Sequence, residues 1–259
     1  MTDFTVDELR RAVEGDELVL MFHPQVDMRT GRAVAAEAGL RWHHPKLGLL
    51  HALAFVDAVP PAGLADVYMA WILRSAAREL ARWNAAGVGI EHVSVNTWPE
   101  NLGPELAERA VAAAVEARLD PSAVEIELTP AARFDERTVD CVRRLRRGKV
   151  RVALDEFGDG ELRLGALRDV TVDVIKVPMT YVRDSMGPFA DAVIRSAVEM
   201  AHAIGAQVVA EGVETVAMRD RVRGLGCDIG QGYLWSRVVA SDNVKRAVDA
   251  IVIDGQRVP

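Results

Sequence analysis

Seven short motifs, six with acidic or amide side chains and one with a lysine, follow successive apolar runs of this 259-residue chain. Each motif falls where an apolar run ends, as expected for residues at the ends of buried strands. In a barrel of parallel strands, the carboxyl ends of the strands meet at one mouth. The sequence therefore predicts one polar cluster, built from AEAGLRW, SVNTW, EIELTP, ALDEFG, VIKVP, VVAEGVE and GQGYLW.

The order of the apolar runs predicts a hairpin followed by alternating helices and strands. Runs at 17–27 and 33–42 flank MRTGR, whose Thr-Gly step suits a tight turn. The later alternation indicates a parallel sheet with right-handed crossovers, and the chain length favours a closed barrel over a doubly wound sheet. We expect a single α/β domain over 1–259. Helices are predicted at 65–86, 104–118, 135–147, 188–204, 215–223 and 242–253.

Charge and composition restrict the partners. The chain has 31 Lys and Arg against 38 Asp and Glu, a net charge of −7 that disfavours binding to DNA or anionic membranes. The N-terminal segment has acidic residues on both sides of its Arg pair and lacks a long apolar stretch, so it predicts neither a signal peptide nor a membrane anchor. We expect a cytoplasmic protein. Cys141 and Cys227 lack the spacing of a zinc site and are predicted to be reduced.

The predicted mouth is strongly acidic. Lys176 and Arg41 supply its obvious positive charge. Crowded carboxylates raise one another's pKa or bind a cation, and carboxylate oxygens with the amide of Asn96 suit magnesium, manganese or calcium. Adjacent carboxylates could serve two ions about 3.5–4 Å apart, an arrangement used in phosphodiester hydrolysis. The carboxylates are those of Glu37, Glu127, Asp155, Glu156 and Glu211.

Each motif also has a purely structural interpretation. Asn96 could cap the following helix, and Lys176 could form an ion pair at the barrel rim. The Gly-Gln-Gly sequence at 230–232 could be a turn. The tryptophans are interpreted as packing residues rather than as a platform on which a base stacks. Trp235 lies close enough to the mouth to remain a candidate for base stacking. The adjacent histidines at 43–44 are predicted to be solvated in a polar loop.

The order and spacing of AEAGLRW, SVN, EIELT, LDEFG, IKVP, AEGVE and GQGYLW resemble the EAL-domain family of cyclic di-GMP phosphodiesterases. The resemblance extends from about residue 17 to residue 252. It implies a modified TIM (β/α)8 barrel whose first strand is antiparallel to the others. It also implies hydrolysis of cyclic di-GMP to linear pGpG with one or two Mg²⁺ or Mn²⁺ ions.

Position by position, the resemblance assigns a metal set. Glu37, Asn96, Glu127 and Asp155 match the ligands of the first metal. Asp155 would also bridge to a second metal, where Glu156 joins it.

The same comparison assigns catalytic and substrate-binding residues. Lys176 and Glu211 match the residues that orient or deprotonate the attacking water. Gln231 matches a polar contact near the metals, and Arg41 matches an arginine that reaches a ligand phosphate.

Several positions depart from the family pattern. Gly39 replaces the leucine of the Glu-Ala-Leu signature and removes an apolar side chain from the ligand floor. Pro130 replaces a glutamate that steadies the loop after Asp155, and Glu156 replaces an aspartate. That loop is rewritten at 159–163, and polar groups expected near a guanine are altered in Phe22-His23-Pro24 and at 58–63.

Three functions stay open at this level. The chain could be a slow or conditional phosphodiesterase, a catalytically silent cyclic di-GMP receptor, or a protein-interaction module that no longer binds the nucleotide. The nearly complete metal set favours the first. The resemblance also implies a homodimer through the segment 157–167. We expect regulation through oligomerisation, a partner protein or expression.

Overall fold

The computed structural model describes residues 4–129, 135–158, 170–183, 187–253 and 256–257. Twelve strands are described: β1 (Leu18–Asp27), β2 (Ala33–His44), β3 (Gly48–His51), β4 (His92–Asn96), β5 (Val124–Leu128), β6 (Arg151–Leu154), β7 (Val174–Val177), β8 (Gln207–Glu211), β9 (Ile229–Gln231), β10 (Val239–Ala240), β11 (Val252–Ile253) and β12 (Gln256–Arg257). The α-helices are α1 (Val6–Glu14), α2 (Ala65–Ala85), α3 (Pro104–Glu116), α4 (Glu136–Arg147), α5 (Met179–Val182), α6 (Gly187–Ala203), α7 (Val216–Gly224) and α8 (Val244–Asp249).

Eight strands close into a barrel in the order β1-β2-β4-β5-β6-β7-β8-β9, with β9 returning to β1. From β2 round to β9, neighbouring strands are parallel. The first strand is antiparallel to both of its neighbours, β2 and β9. The predicted TIM-type barrel with an antiparallel first strand is therefore confirmed.

A small apolar layer lies inside the barrel and is separate from the larger core between the strands and the helices. It contains side chains from four consecutive barrel strands, β6 to β9, with partly buried Val34 packed against it. Strand side chains alternate between the two faces, so residues two positions further along each strand also face inward. The layer consists of Ala153, Val174, Val209 and Ile229.

The structure corrects the helix predictions at both ends of the chain. Helix α1 was not predicted, although its N-terminus carries a capping box: Thr5 accepts a hydrogen bond from the Glu8 amide, and the Glu8 side chain accepts one from the Thr5 amide. The last helix, predicted at 242–253, ends at Asp249. The following Ile251, Val252 and Ile253 are β-branched and favour extended backbone.

The prediction of two solvated histidines was wrong for His44. This side chain is buried at the end of β2, and its Nδ1 atom accepts the backbone N–H groups of Lys46 and Leu47 at 3.2 Å. The two cysteines are free and buried, and burial raises the pKa of Cys141 to about 11. Within the described ranges, no helix combines the length and the apolar character that crossing a bilayer requires.

A substitution at Gly230 of the short strand β9 tests how closely this strand packs against Trp235. A Cβ atom at Gly230 would lie 2.2 Å from Trp235 Cη2, so Gly230→Ala forces this buried indole to move. We expect a loss of about 1–3 kcal/mol in the free energy of unfolding, measured by urea denaturation. The control is Gly224→Ala, because a Cβ atom there meets nothing within 4 Å. Equal stability of the two variants would contradict this packing.

Candidate active site

The polar residues of four motifs lie directly above the apolar layer. Each is two residues beyond an inward-facing apolar residue on the same strand or at its end. The strand period of two therefore turns all four toward the axis at the carboxyl ends of the strands. These pairs are Ala153 and Asp155, Val174 and Lys176, Val209 and Glu211, and Ile229 and Gln231.

The centre of the cluster is the ammonium group of Lys176. Its Nζ atom lies 2.8 Å from Glu211 Oε1 and 2.9 Å from Glu127 Oε2. Glu37 Oε2 is at 3.4 Å and Asp155 Oδ1 at 3.7 Å. The side chain of Lys176 is 1% exposed and that of Glu127 is fully buried. Four of the predicted carboxylates are therefore brought together, and Lys176 is a buried central charge rather than a rim residue.

Burial and neighbouring charges both shift the pKa values of the groups in this cluster. Burial alone would lower the pKa of Lys176, but the four carboxylates hold it well above its usual value. Burial and the neighbouring Glu37 raise the pKa of Glu127 well above normal. Burial also raises the pKa of Glu211 to about 7, despite the opposing effect of Lys176. Against its own burial, Glu37 keeps a lowered pKa because of Lys176 and Gln231.

Amide groups fix the orientation of Glu37. Asn96 Nδ2 donates to Glu37 Oε1 at 3.0 Å, and Gln231 Nε2 donates to Glu37 Oε2 at 2.6 Å. Asn96 thus contacts the predicted metal ligand instead of capping a helix. Gln231 belongs to the same network and is not simply part of a turn.

Two polar residues of β1 complete this network and were not assigned a role from the sequence. Gln25 is buried and donates to Gln231 Oε1 at 2.8 Å. His23 Nδ1 lies 3.2 Å from Gln231 Nε2, and burial lowers the pKa of His23. The signal was available, because His23 and Gln25 are two residues apart on one strand and therefore share a face.

Glu156 differs from the other predicted ligands. Its side chain is exposed and its backbone has a φ of +50°, a left-handed conformation that is uncommon outside glycine. The Glu156 amide donates to Asp155 Oδ1 at 2.8 Å. The loop therefore places Glu156 beside Asp155 but on its solvent side.

A pocket of about 510 Å³ opens beside the cluster. Arg41 lies in its wall, four residues beyond Glu37 on the same strand, and partial burial lowers the Arg41 pKa. Gly39 also lines the pocket, and a Cβ atom there would lie 3.2 Å from Arg41 Nη1. The wall is otherwise largely apolar and includes Trp98 and the exposed Leu53. Arg41 thus shares this cavity with Glu37 and Asn96 of the mouth.

The donor set fits a divalent cation, although the side chains are not arranged around a metal position. Within the described ranges, no group of three or more His, Cys, Asp or Glu side chains has metal-binding geometry. The carboxylates instead converge on Lys176, whose single positive charge cannot balance four carboxylates. Glu127 Oε1 is buried and has no hydrogen-bond partner in the described part of the chain. An unpaired buried carboxylate oxygen and excess negative charge are both relieved by a hard cation.

Two sequence expectations fall outside the described residues. Pro130 is one, and positions 159–167 of the expected dimer segment are the other.

The closed barrel with an acidic cluster at its carboxyl mouth defines a TIM-type α/β-barrel protein. The EAL domain profile matches residues 6–238, and the chain belongs to the EAL domain family. It is 33% identical over 219 residues to the cyclic di-GMP phosphodiesterase PA2567 of Pseudomonas aeruginosa, covering 83% of this chain and 37% of that protein. Over 235 residues it is 34% identical to the cyclic di-GMP phosphodiesterase NbdA of the same species, covering 89% of this chain and 30% of NbdA.

The fold agrees with a solved structure, that of the PaMucR phosphodiesterase in complex with c-di-GMP. The TM-score is 0.85 at 27% identity, with 92% of this chain and 98% of that chain covered. The chain spans about a third of the length of the two curated relatives.

The raised pKa of Glu211 predicts a pH-dependent stability without metal. Between its unfolded pKa near 4.5 and its folded pKa of about 7, the folded state binds the extra proton, so stability falls as the pH rises through this range. Glu211→Gln removes this titration. In a chelating buffer, the melting temperature of the variant minus that of the parent should increase by about 3–6 °C from pH 5 to pH 8.

The matched control for this measurement is Glu199→Gln, which changes an exposed glutamate on α6. Its difference from the parent should be the same at both pH values. A Glu211→Gln difference that stays constant or shrinks with rising pH would contradict the raised pKa.

Proposed function

We propose that this chain is a slow, metal-dependent phosphodiesterase that hydrolyses cyclic di-GMP to linear pGpG. The observation that carries the proposal is the buried Lys176 ammonium among four carboxylates, beside a pocket with Arg41 in its wall. Its relatives PA2567 and NbdA are named cyclic di-GMP phosphodiesterases. The similar PaMucR structure is a complex with c-di-GMP.

The residues that would hold Mg²⁺ or Mn²⁺ are those with hard oxygen atoms at the mouth. Glu37, Asn96, Glu127 and Asp155 would bind one ion, and Asp155 with Glu156 would bind a second. Bound divalent ions supply positive charge that polarises the phosphodiester and activates water. Because Glu37 already accepts hydrogen bonds from Asn96 and Gln231, its carboxylate is oriented before an ion arrives.

The acid–base chemistry is assigned to Glu211 and Lys176. The Oε1 atom of Glu211 can accept the proton of the attacking water. Lys176 Nζ, 2.8 Å away, holds this carboxylate in place. The water oxygen bonds to phosphorus, the phosphorus bond to the ribose 3′ oxygen breaks, and that oxygen takes up a proton. One water is consumed and one pGpG is formed.

We expect slow hydrolysis because of the geometry of Asp155 and Glu156, the proposed ligands of the second ion. Glu156 has a longer side chain than aspartate and extends from a left-handed backbone on the solvent side of Asp155. A displacement of about 1 Å at a reacting centre can cost on the order of 100-fold in rate. At the sequence level, Pro130 also removes a carboxylate that would steady this loop in the family pattern.

The location, subunit arrangement and regulation follow from the sequence arguments alone. We propose a cytoplasmic protein that forms a homodimer and is regulated by a protein partner.

Turnover is tested with purified protein, cyclic di-GMP and either Mn²⁺ or Mg²⁺, with pGpG measured by chromatography. We expect slow pGpG formation by the parent. Glu211→Gln should lower kcat by about 100- to 10,000-fold, because an amide cannot accept the water's proton. The control Glu199→Gln should have the parent rate.

The same experiment separates the three functions left open by the sequence. Calorimetry on the parent measures nucleotide binding independently of turnover. Tight binding without pGpG would identify a silent receptor instead. Neither binding nor turnover would favour the protein-interaction function.

Arg41→Lys tests the phosphate contact. A guanidinium can form two parallel hydrogen bonds to a phosphate, whereas an ammonium acts as a point charge. We expect the Kd for cyclic di-GMP to rise by about 10-fold although the charge is kept, as measured by calorimetry with metal present. Arg82→Lys is the control, because Arg82 binds Glu79 and Asp242 at a different pocket. Parent-like affinity in Arg41→Lys would exclude this contact.

A further inference from the structure

We propose that Tyr181 is a positioning residue for the loop that carries Asp155 and Glu156, an inference that rests on the proposed phosphodiesterase. Its hydroxyl group donates a hydrogen bond of 2.8 Å to the carbonyl oxygen of Gly158. We call this contact the Tyr181 latch. It holds the end of the Asp155–Gly158 segment and thereby fixes where the two carboxylates meet a divalent cation.

Among the described residues, three successive hydrogen bonds attach the Asp155–Gly158 segment to the rest of the barrel. The Asp155 amide donates to the carbonyl oxygen of Leu128 at 3.0 Å. The Phe157 amide donates to the carbonyl oxygen of Lys176 at 2.9 Å. The Tyr181 latch is the third attachment and is made by a side chain. Glu156 lies between the first two attachments. The Tyr181 latch holds the segment just after them and thereby limits how far its C-terminal end can move away from the barrel.

The latch depends on a close approach of the tyrosine ring to the backbone. Gly158 has a φ of +94°, which favours glycine. A Cβ atom at this position would lie 3.0 Å from Tyr181 Cε2 and 3.1 Å from Val193 Cγ1. The missing side chain thus leaves room for the ring, and the hydroxyl reaches the carbonyl group.

Tyr181 itself is held in a rigid setting. It lies on the short helix α5, a few residues after Lys176 of β7, and is 7% exposed. Arg221 of α7 donates to the carbonyl oxygen of Val182 at 2.9 Å and to that of Tyr181 at 3.4 Å. Arg221 also forms an ion pair of 2.6 Å with Asp191 of α6. Three helices therefore fix the position from which the hydroxyl contacts the loop.

The position of Glu156 is the most sensitive to loosening of the Asp155–Gly158 segment. Its left-handed backbone is uncommon for a non-glycine residue and persists only when surrounding contacts enforce it. Without the Tyr181 latch, the segment can relax toward more common backbone angles, and the Glu156 carboxylate moves away from Asp155. The latch then acts on metal binding and on kcat, and has little effect on nucleotide affinity.

The test compares Tyr181→Phe with Tyr68→Phe. Tyr68 is a matched control, because its buried hydroxyl also donates to a backbone carbonyl at 2.8 Å, that of Leu9, on α1. Both variants lose the hydroxyl group and with it the hydrogen bond to a backbone carbonyl. We measure Mn²⁺ binding by calorimetry, hydrogen exchange of the Glu156 and Phe157 amides, and kcat and KM for cyclic di-GMP.

For Tyr181→Phe we expect weaker Mn²⁺ binding, faster exchange of these two amides and a lower kcat. Each should change by about 3- to 10-fold, the effect of one neutral hydrogen bond, while KM stays at the parent value. Tyr68→Phe should leave all four quantities at parent values.

Two results would overturn the latch. One is parent-like Mn²⁺ binding and amide exchange in Tyr181→Phe, and the other is an equal change in Tyr68→Phe. A parent protein that forms no pGpG refutes the phosphodiesterase proposal. In that case Mn²⁺ binding and amide exchange alone decide whether the latch exists.

Discussion

The site depends on one buried ammonium group. Lys176 is almost fully shielded from water, and a buried charge of this kind is tolerated only when paired. Its partners are carboxylates on four other segments of the barrel, so the lysine holds these strand ends together at the mouth. The pairing leaves an excess of negative charge, and one oxygen of Glu127 has no hydrogen-bond partner in the described part of the chain. The same group that gathers the carboxylates therefore leaves a site suited to an additional cation.

The barrel makes this arrangement by simple repetition. On β6 to β9, an apolar residue fills the interior and the residue two positions later carries the polar group of the mouth. The antiparallel β1 closes the ring against the short strand β9 and brings Gln25 to Gln231. Through Gln231, a strand near the start of the chain and one near its end orient the same carboxylate, Glu37. The pairing of β1 with β9 thus both closes the barrel and orients the carboxylate of Glu37.

The cluster also has a cost in stability. Glu211 and Glu127 have raised pKa values because ionised carboxylates are poorly solvated here and repel one another. In the metal-free protein, ionisation of these two groups therefore lowers the stability of the folded state. The backbone of Glu156 also costs stability, because its φ angle is unfavourable by itself. The attachments of its loop hold it in this conformation.

Much of this protein could be predicted from its sequence because strand periodicity and strand-end motifs are local signals. They predict the barrel, six of the eight helices in the described ranges and most polar residues of the mouth, and the resemblance implies the direction of β1. The capping box of helix α1 is also a local signal, so the sequence contains the information for this helix as well.

Other features were decided by tertiary structure. Burial of His44, the pKa of Glu211 and the contact between Tyr181 and Gly158 depend on distances between separate segments. The physical reason is that local patterns fix which side of a strand a residue faces. Desolvation and charge coupling arise only when the closed barrel sets the distances between groups far apart in the chain.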